Sequence, residues 1–221
     1  MSSVMSDAPP TQWTLADVQA HLPGFPPNRI RSYPSPGTAT EADVLEAEAR
    51  SGRICELIDG TLVEKVMASL ESGLAAELIY FIRRYLEVND LGMLLTGDGL
   101  LRILPAQIRA PDVSFIRWER FVGRKPPKAA IYAVAPDLAV EILSEGNTPE
   151  EMDRRLREYF QAGVRLVWYI EPKTRTARAY TAPQDWTEIG PNDSLLGGDV
   201  LPGFQLTLAQ LFARVEGPLQ E

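Results

Sequence analysis

Pro136-Asp137-Leu138-Ala139-Val140-Glu141-Ile142-Leu143-Ser144 is an apolar run with a single acid in its interior. A short run of this kind, entered by Pro-Asp and left by Ser, reads as a strand buried on both faces. An ionised carboxylate at Glu141 is costly there unless it is paired or holds a metal. Ala110-Pro111-Asp112-Val113-Ser114-Phe115-Ile116 repeats the theme, with Asp112 at the head of a second apolar strand. Two carboxylates projecting from adjacent strands can share one hard divalent cation, Mg2+ or Mn2+, with water and a phosphate oxygen completing its shell. Such an ion lowers the pKa of a bound water and neutralises charge on a scissile phosphate. The alternative is that each acid is a core residue paired with an arginine.

Three further charges sit on elements around these strands. The spacing predicts a helix over 70–86, with Leu70, Leu74, Leu78, Phe81, Ile82 and Tyr85 on one stripe. Glu71 falls inside that stripe and Glu77 at its edge, so Glu71 either caps free amides near the helix start or faces the same site. Thr148-Pro149-Glu150-Glu151 opens another helix that stops at Gly163. Met152, Leu156, Tyr159 and Phe160 form its apolar stripe. Arg155 lies on the border of the stripe, while Arg154 and Arg157 point more to solvent. Arg155 is thus the cation placed to reach the strands, either as a salt bridge to a core carboxylate or as part of a site. Glu56 shares a strand face with Ile54 and Ile58. If that face is inward Glu56 is another buried acid; the outward placement is expected of a hairpin.

Working outward, Asp59-Gly60 between two short apolar runs signals a β-hairpin over 54–65. Strands are expected at 93–96, 99–104, 112–116, 137–143, 165–170, 176–181, 186–189 and 205–208, and a last short helix ends near Ala213. Thr40 caps a helix over 41–51, and Thr14 caps a short one through His21. Residues 1–12 read as disordered, and the Pro/Gly/Ser-rich stretch 22–39 as an extended loop over the surface. The division is an N-terminal extension over 1–39, one α/β domain over 40–213 and a tail over 214–221.

Composition narrows the chemistry. With one cysteine, Cys55, and one histidine, His21, intrachain disulfides, cysteine zinc sites and histidine-rich metal sites are excluded. Gly97-Asp98-Gly99 lacks the spacing and the lysine of a phosphate loop. There is no apolar run of about 18 residues and no signal-peptide pattern, so no membrane partner and a cytoplasmic location are expected. The net charge of −8 argues against wholesale electrostatic binding of nucleic acid. One local exception is the basic loop 117–128, where Arg117, Arg120, Arg124, Lys125 and Lys128 stand against Glu119. It is either a solvated loop or a contact for DNA. Trp168, Tyr169 and the later strands are a candidate face for a homodimer.

The ordered set resembles the Uma2 family (DUF820) of the PD-(D/E)XK restriction endonuclease-like superfamily. The resemblance rests on Glu56-Leu57-Ile58-Asp59-Gly60-Thr61-Leu62-Val63, a helix, Pro111-Asp112, the run 136–144, and a helix ending Tyr159-Phe160-Gln161-Ala162-Gly163-Val164 before Val167-Trp168-Tyr169-Ile170. It covers roughly 40–212. It implies a restriction endonuclease-like core, a mixed β-sheet flanked by helices. It also implies that Asp112 and Glu141 are metal-binding acids and that Glu71 is the third acid from a preceding helix. The lysine usual two residues after the glutamate is Leu143 here, and the position on the following helix that commonly supplies it instead is Arg155. Arginine is not deprotonated in proteins, so at 155 it can orient or stabilise charge only. The reading is a Mg2+-dependent endonuclease acting on DNA, with Asp112, Glu141, Glu71 and Arg155 at its site. The alternative is a catalytically inactive nuclease fold serving as a binding or scaffold protein.

Overall fold

In a computed structural model, residues 13–215 are described. The expected disorder of residues 1–12 and the end of the tail lie outside them. In chain order the elements are α1 (Leu15–His21), α2 (Glu41–Ser51), β1 (Cys55–Ile58), β2 (Thr61–Glu64), α3 (Ser69–Leu86), β3 (Gly92–Thr96), β4 (Leu100–Leu104), β5 (Gln107–Arg109), β6 (Val113–Arg117), β7 (Ile131–Tyr132), β8 (Leu138–Ile142), α4 (Pro149–Gln161), β9 (Leu166–Glu171), β10 (Thr176–Ala182), β11 (Asp185–Ile189), β12 (Ser194–Leu196), β13 (Gln205–Thr207) and α5 (Leu208–Ala213). The three short strands β5, β7 and β12 carry too few residues for a periodic signal, so the sequence did not announce them.

The central sheet has six strands in the order β11-β10-β9-β8-β6-β3, with β8 and β9 parallel and the other pairs antiparallel. Strand β8 is buried along its whole length. Alternation divides its side chains between two layers. Leu138, Val140 and Ile142 join α3 and α5 in one core, and Ala139 joins Met152, Leu156 and Tyr159 of α4 in the other. A second, five-stranded sheet, β2-β1-β5-β4-β7, carries the hairpin. The arrangement is the mixed sheet flanked by helices that the sequence implied.

The hairpin turn is as Asp59-Gly60 predicts: both residues have positive φ, 47° and 70°. The caps hold as well. Thr14 and Thr40 form capping boxes with Asp17 and Asp43, and the Thr148 side chain accepts from the Glu151 amide.

The stretch 22–39 is largely irregular, as expected of a loop, but it is pinned to the fold by a few buried residues. Leu22 and Phe25 are buried with Ile58 and Val63 of the hairpin, so this stretch is a strap held by its apolar residues. Of the candidate dimer face of Trp168, Tyr169 and the later strands, the first two side chains are buried and face no partner. Trp168 stacks near Phe204 in the α3-side core, with ring centroids 6.0 Å apart. A parallel central strand pair packs on both faces, which leaves neither ring for a partner.

The strap crosses the hairpin turn closely. The Ala39 amide donates to Gly60 O at 2.7 Å, and a Cβ at Gly60 would lie 2.7 Å from the Gly37 backbone. Gly60→Ala should therefore cost about 1–2 kcal/mol from its left-handed backbone alone, and it should loosen the strap as well. Urea unfolding reads the first effect. Faster amide exchange at Ala39 reads the second, and unchanged exchange there would show that the crossing is not tight.

Candidate metal centre

Strand register brings the two acids together. Val113 pairs with Val140, and the ladder carried one residue further sets Asp112 opposite Glu141. Val113 and Phe115 face the α3 core while Ile116 faces the α4 core, so alternation turns Asp112 toward α4, as it does Glu141. Opposed residues on one sheet face have Cβ atoms about 5 Å apart. The Ile142 amide donates to Asp112 Oδ2 at 2.7 Å, which fixes that carboxylate over the end of β8.

Glu141 is 7% exposed. Its Oε1 accepts from Arg155 Nη1 at 3.1 Å and from the Tyr159 hydroxyl. Burial pushes its pKa up to about 6, and the Asp112 charge adds to the rise while Arg155 and Lys65 oppose it. Burial and the neighbouring Glu141 also hold the Tyr159 hydroxyl well above its ordinary pKa, so it stays a donor.

Arg155 comes from α4, and both of its Nη groups are already engaged, while its buried Nε has no hydrogen-bond partner among the described residues. Nη1 donates to Glu56 Oε1 at 2.9 Å besides Glu141, and Nη2 donates to Glu56 Oε2 at 2.8 Å and Glu151 Oε1 at 3.3 Å. The salt-bridge reading of this arginine is therefore correct, and it is also one of the residues that line the cavity described below. Glu56 is inward, against expectation. It is 1% exposed, because the second sheet folds its face onto α4 and Arg109 of β5 donates to Glu56 Oε2 at 2.8 Å. Burial alone would raise the Glu56 pKa, but Arg155 and Arg109 override it and hold the group well below the carboxylate range. Arg154 is likewise not a solvent residue. It pairs with Asp59 at 2.7 Å and with Glu158 at 2.6 Å.

Glu71 stands in the first turn of α3, makes no cap hydrogen bond, and lines the same cavity as Asp112 and Glu141. Its Oε2 is buried with no hydrogen-bond partner among the described residues. That orphaned oxygen favours the site reading over the cap reading.

Two cations in the site were not read from the sequence. Lys65, just past β2, places Nζ 2.9 Å from Asp112 Oδ1 and also donates to Ala110 O. Arg29 of the strap donates from Nη1 to Glu151 Oε2 and from Nε to Glu64 O, both at 2.9 Å. Lys65 ends an ordinary hairpin, and Arg29 sits in a Pro-rich stretch, so neither carried a local signal. The Leu143 position, where a lysine was sought, packs as an apolar residue against the α4 core.

Lys65, Glu71, Asp112, Glu141, Ser144 and Arg155 border a cavity of about 20 Å3. That is room for one water or one small ion. A groove of about 750 Å3 shares Arg29, Glu71, Ser144 and Asn147 with it. The donors are oxygen only, which suits a hard cation that keeps its waters. Among the described residues no three His, Cys, Asp or Glu side chains form a complete metal cage. The fit is accordingly to an ion held by one or two carboxylates plus water.

The basic loop lies elsewhere. Asp112 precedes β6 and Arg117 ends it, so the loop begins about 17 Å from the acids. Arg120 pairs with Asp137 at 3.1 Å, and Arg117 donates to the carbonyls of Asp199 and Val200. These two arginines anchor the loop to the fold.

A family model described as "Uma2: Putative restriction endonuclease" matches residues 41–209. The chain belongs to the Uma2 family. A crystal structure described as that of a putative nuclease belonging to DUF820, from Anabaena variabilis ATCC 29413, superposes with a TM-score of 0.66 at 19% identity, covering 75% of this chain and 93% of that one. At that identity the likeness is one of fold. No curated protein matches the chain. No helix among the described residues is long and apolar enough to cross a membrane. The Uma2 match begins at α2, so Arg29 and the strap lie outside it.

The raised pKa of Glu141 has a stability consequence. An acid whose pKa is higher folded than unfolded imposes a penalty that is absent below the unfolded value, near 4.5, and complete above about 6. In metal-free protein, wild-type stability relative to Glu141→Gln should fall by about 2 kcal/mol between those pH values. A pH-independent difference between the two in chemical unfolding would contradict the assignment.

Proposed function

We propose that this Uma2 protein is a Mg2+- or Mn2+-dependent endonuclease acting on DNA. The reading is carried by one observation: Asp112 and Glu141 converge on one sheet face at a cavity of single-ion size, with an orphaned Glu71 oxygen beside them. Asp112 and Glu141 would hold the ion, and Glu71 would take one of its waters or supply a further oxygen. When bound, the ion supplies Lewis acidity toward a phosphoryl oxygen and a water of lowered pKa.

The protein's own groups do the rest. Lys65, beside Asp112, holds a positive charge where a phosphate oxygen would gain negative charge. It takes the place sought at 143 and 155. Arg155 keeps Glu141 and Glu56 ionised and aligned rather than reaching the substrate itself. Tyr159 fixes one Glu141 oxygen and leaves the other for the site. Ser144 and Asn147 stand where the cavity meets the groove, with Asn147 Oδ1 accepting from the Ser144 amide at 2.9 Å, so this loop is a second support for the substrate backbone. The family description, "Putative restriction endonuclease", supports DNA over RNA as the substrate.

Asp112→Ala should reduce metal-dependent cleavage of plasmid DNA to background with the circular dichroism spectrum unchanged. Lys65→Ala should lower the rate by about 10²-fold, the usual loss for one electrostatic donor. Metal-dependent nicking by purified Asp112→Ala would sink the assignment.

One observation favours a second reading, a binding protein on a retired nuclease fold: the acids already have protein cations as partners, and no complete cage is present among the described residues. Titration calorimetry separates the two. Heat from Mg2+ or Mn2+ that disappears in Glu141→Gln supports the nuclease, and no binding at millimolar metal supports the scaffold.

A further inference from the structure

Arg29 lies upstream of the matched Uma2 region, yet it is 8% exposed and borders both the small cavity and the wide groove. Its position is built from both sides. Leu22 and Phe25 anchor the strap on the hairpin, and Thr148 Oγ1 donates to Gly24 O at 2.8 Å, tying it to the start of α4. Arg154 also donates to His21 O. A cation held this way keeps little freedom to lose on binding a ligand.

Two of the three guanidinium nitrogens are used: Nε on Glu64 O and Nη1 on Glu151 Oε2. Nη2 makes no hydrogen bond among the described residues. Glu151 is fully buried, so Arg29 is needed there as a counter-ion. Charge balance alone, however, asks for one cationic donor, which a lysine could supply. The planar fork adds a further donor edge beside a groove that also meets Glu71, Ser144 and Asn147.

We propose that the strap is part of the substrate site and that Arg29 Nη2 binds a phosphodiester oxygen of a nucleic-acid strand lying in this groove, one phosphate away from the metal acids. The inference rests on the nucleic-acid reading of the site but not on cleavage. Pro26 and Asn28 line the groove as well, so the strap forms one wall of it. Because that wall precedes the matched domain, strap sequence would distinguish the substrate preference of this protein from that of relatives lacking it. The remaining Arg29 contacts make it a positioning residue too, since Glu151 also meets Arg155.

The test is fluorescence anisotropy of full-length protein with a labelled single-stranded oligonucleotide in Ca2+, over a salt series. The variants are Arg29→Lys, which keeps a cation for Glu151 but loses the fork, and Arg29→Ala. Thermal melts check folding. Arg29→Lys should melt near the wild type yet bind about tenfold more weakly, the loss of one hydrogen bond to a charged group. The log-log salt slope of Arg29→Ala, which removes the charge, should be shallower by about 0.7, as for one lost phosphate contact on a single strand. A purely structural arginine would not move that slope. Wild-type affinity in Arg29→Lys, or a wild-type slope in folded Arg29→Ala, overturns the proposal while leaving the nuclease reading intact. No oligonucleotide binding by wild type overturns the proposal, and plasmid cleavage decides the nuclease reading separately. Arg29-dependent binding without metal-dependent cleavage upholds the proposal and removes the nuclease reading.

Discussion

Two buried arginines among four buried acids are the constraint around which this molecule is built. Arg155 meets Glu56, Glu141 and Glu151, and Arg109 meets Glu56 and Glu158. The six residues come from four places: the hairpin, the central strand β8, helix α4 and strand β5. Ions taken from water into such surroundings are tolerated only with near-complete pairing. The pairing therefore dictates how the second sheet, the central sheet and α4 must meet. A small displacement of α4 would leave several charges without partners at once.

The same network shapes the site. Glu56 is neutralised so fully that it stays ionised, whereas Glu141, with one arginine donor and Asp112 as a neighbour, is left close to neutrality in pH terms. Two glutamates within reach of one guanidinium thus acquire different characters from their surroundings. Glu56 is a structural anion that orients Arg155, whereas Glu141 borders the small cavity. Lys65 on Asp112 balances the remaining charge at the cavity and leaves the Glu71 oxygen unserved.

Much of this could be read in advance. The Asp59-Gly60 turn, the threonine caps, the α3 stripe from Leu74 onward and the buried strand at 138–142 are all local patterns, and each appears in the structure, whereas Leu70 at the head of the stripe is exposed. Asp112 and Glu141 were visible because an acid inside an apolar strand breaks the pattern around it. Glu56 misled because a two-stranded hairpin usually has one wet face, and nothing nearby in the chain announces that a second layer will cover it. The stretch 22–39 misled for a related reason. Proline and glycine mark irregular backbone, which is correct here, but they do not report whether Leu22 and Phe25 find a hydrophobic surface to rest on.

The one-dimensional order of residues was enough to establish the longer helices and strands, which acids are anomalous, and hence the family. Which cations face those acids was settled only by folding. Lys65 reaches Asp112 across 47 positions of chain, and Arg29 reaches Glu151 across 122. Periodicity reports on neighbours within a few residues, because it records one element's two faces. Contacts made between layers depend on how separate elements are stacked, and a charge on the rim of one element carries no local mark of the partner it will meet.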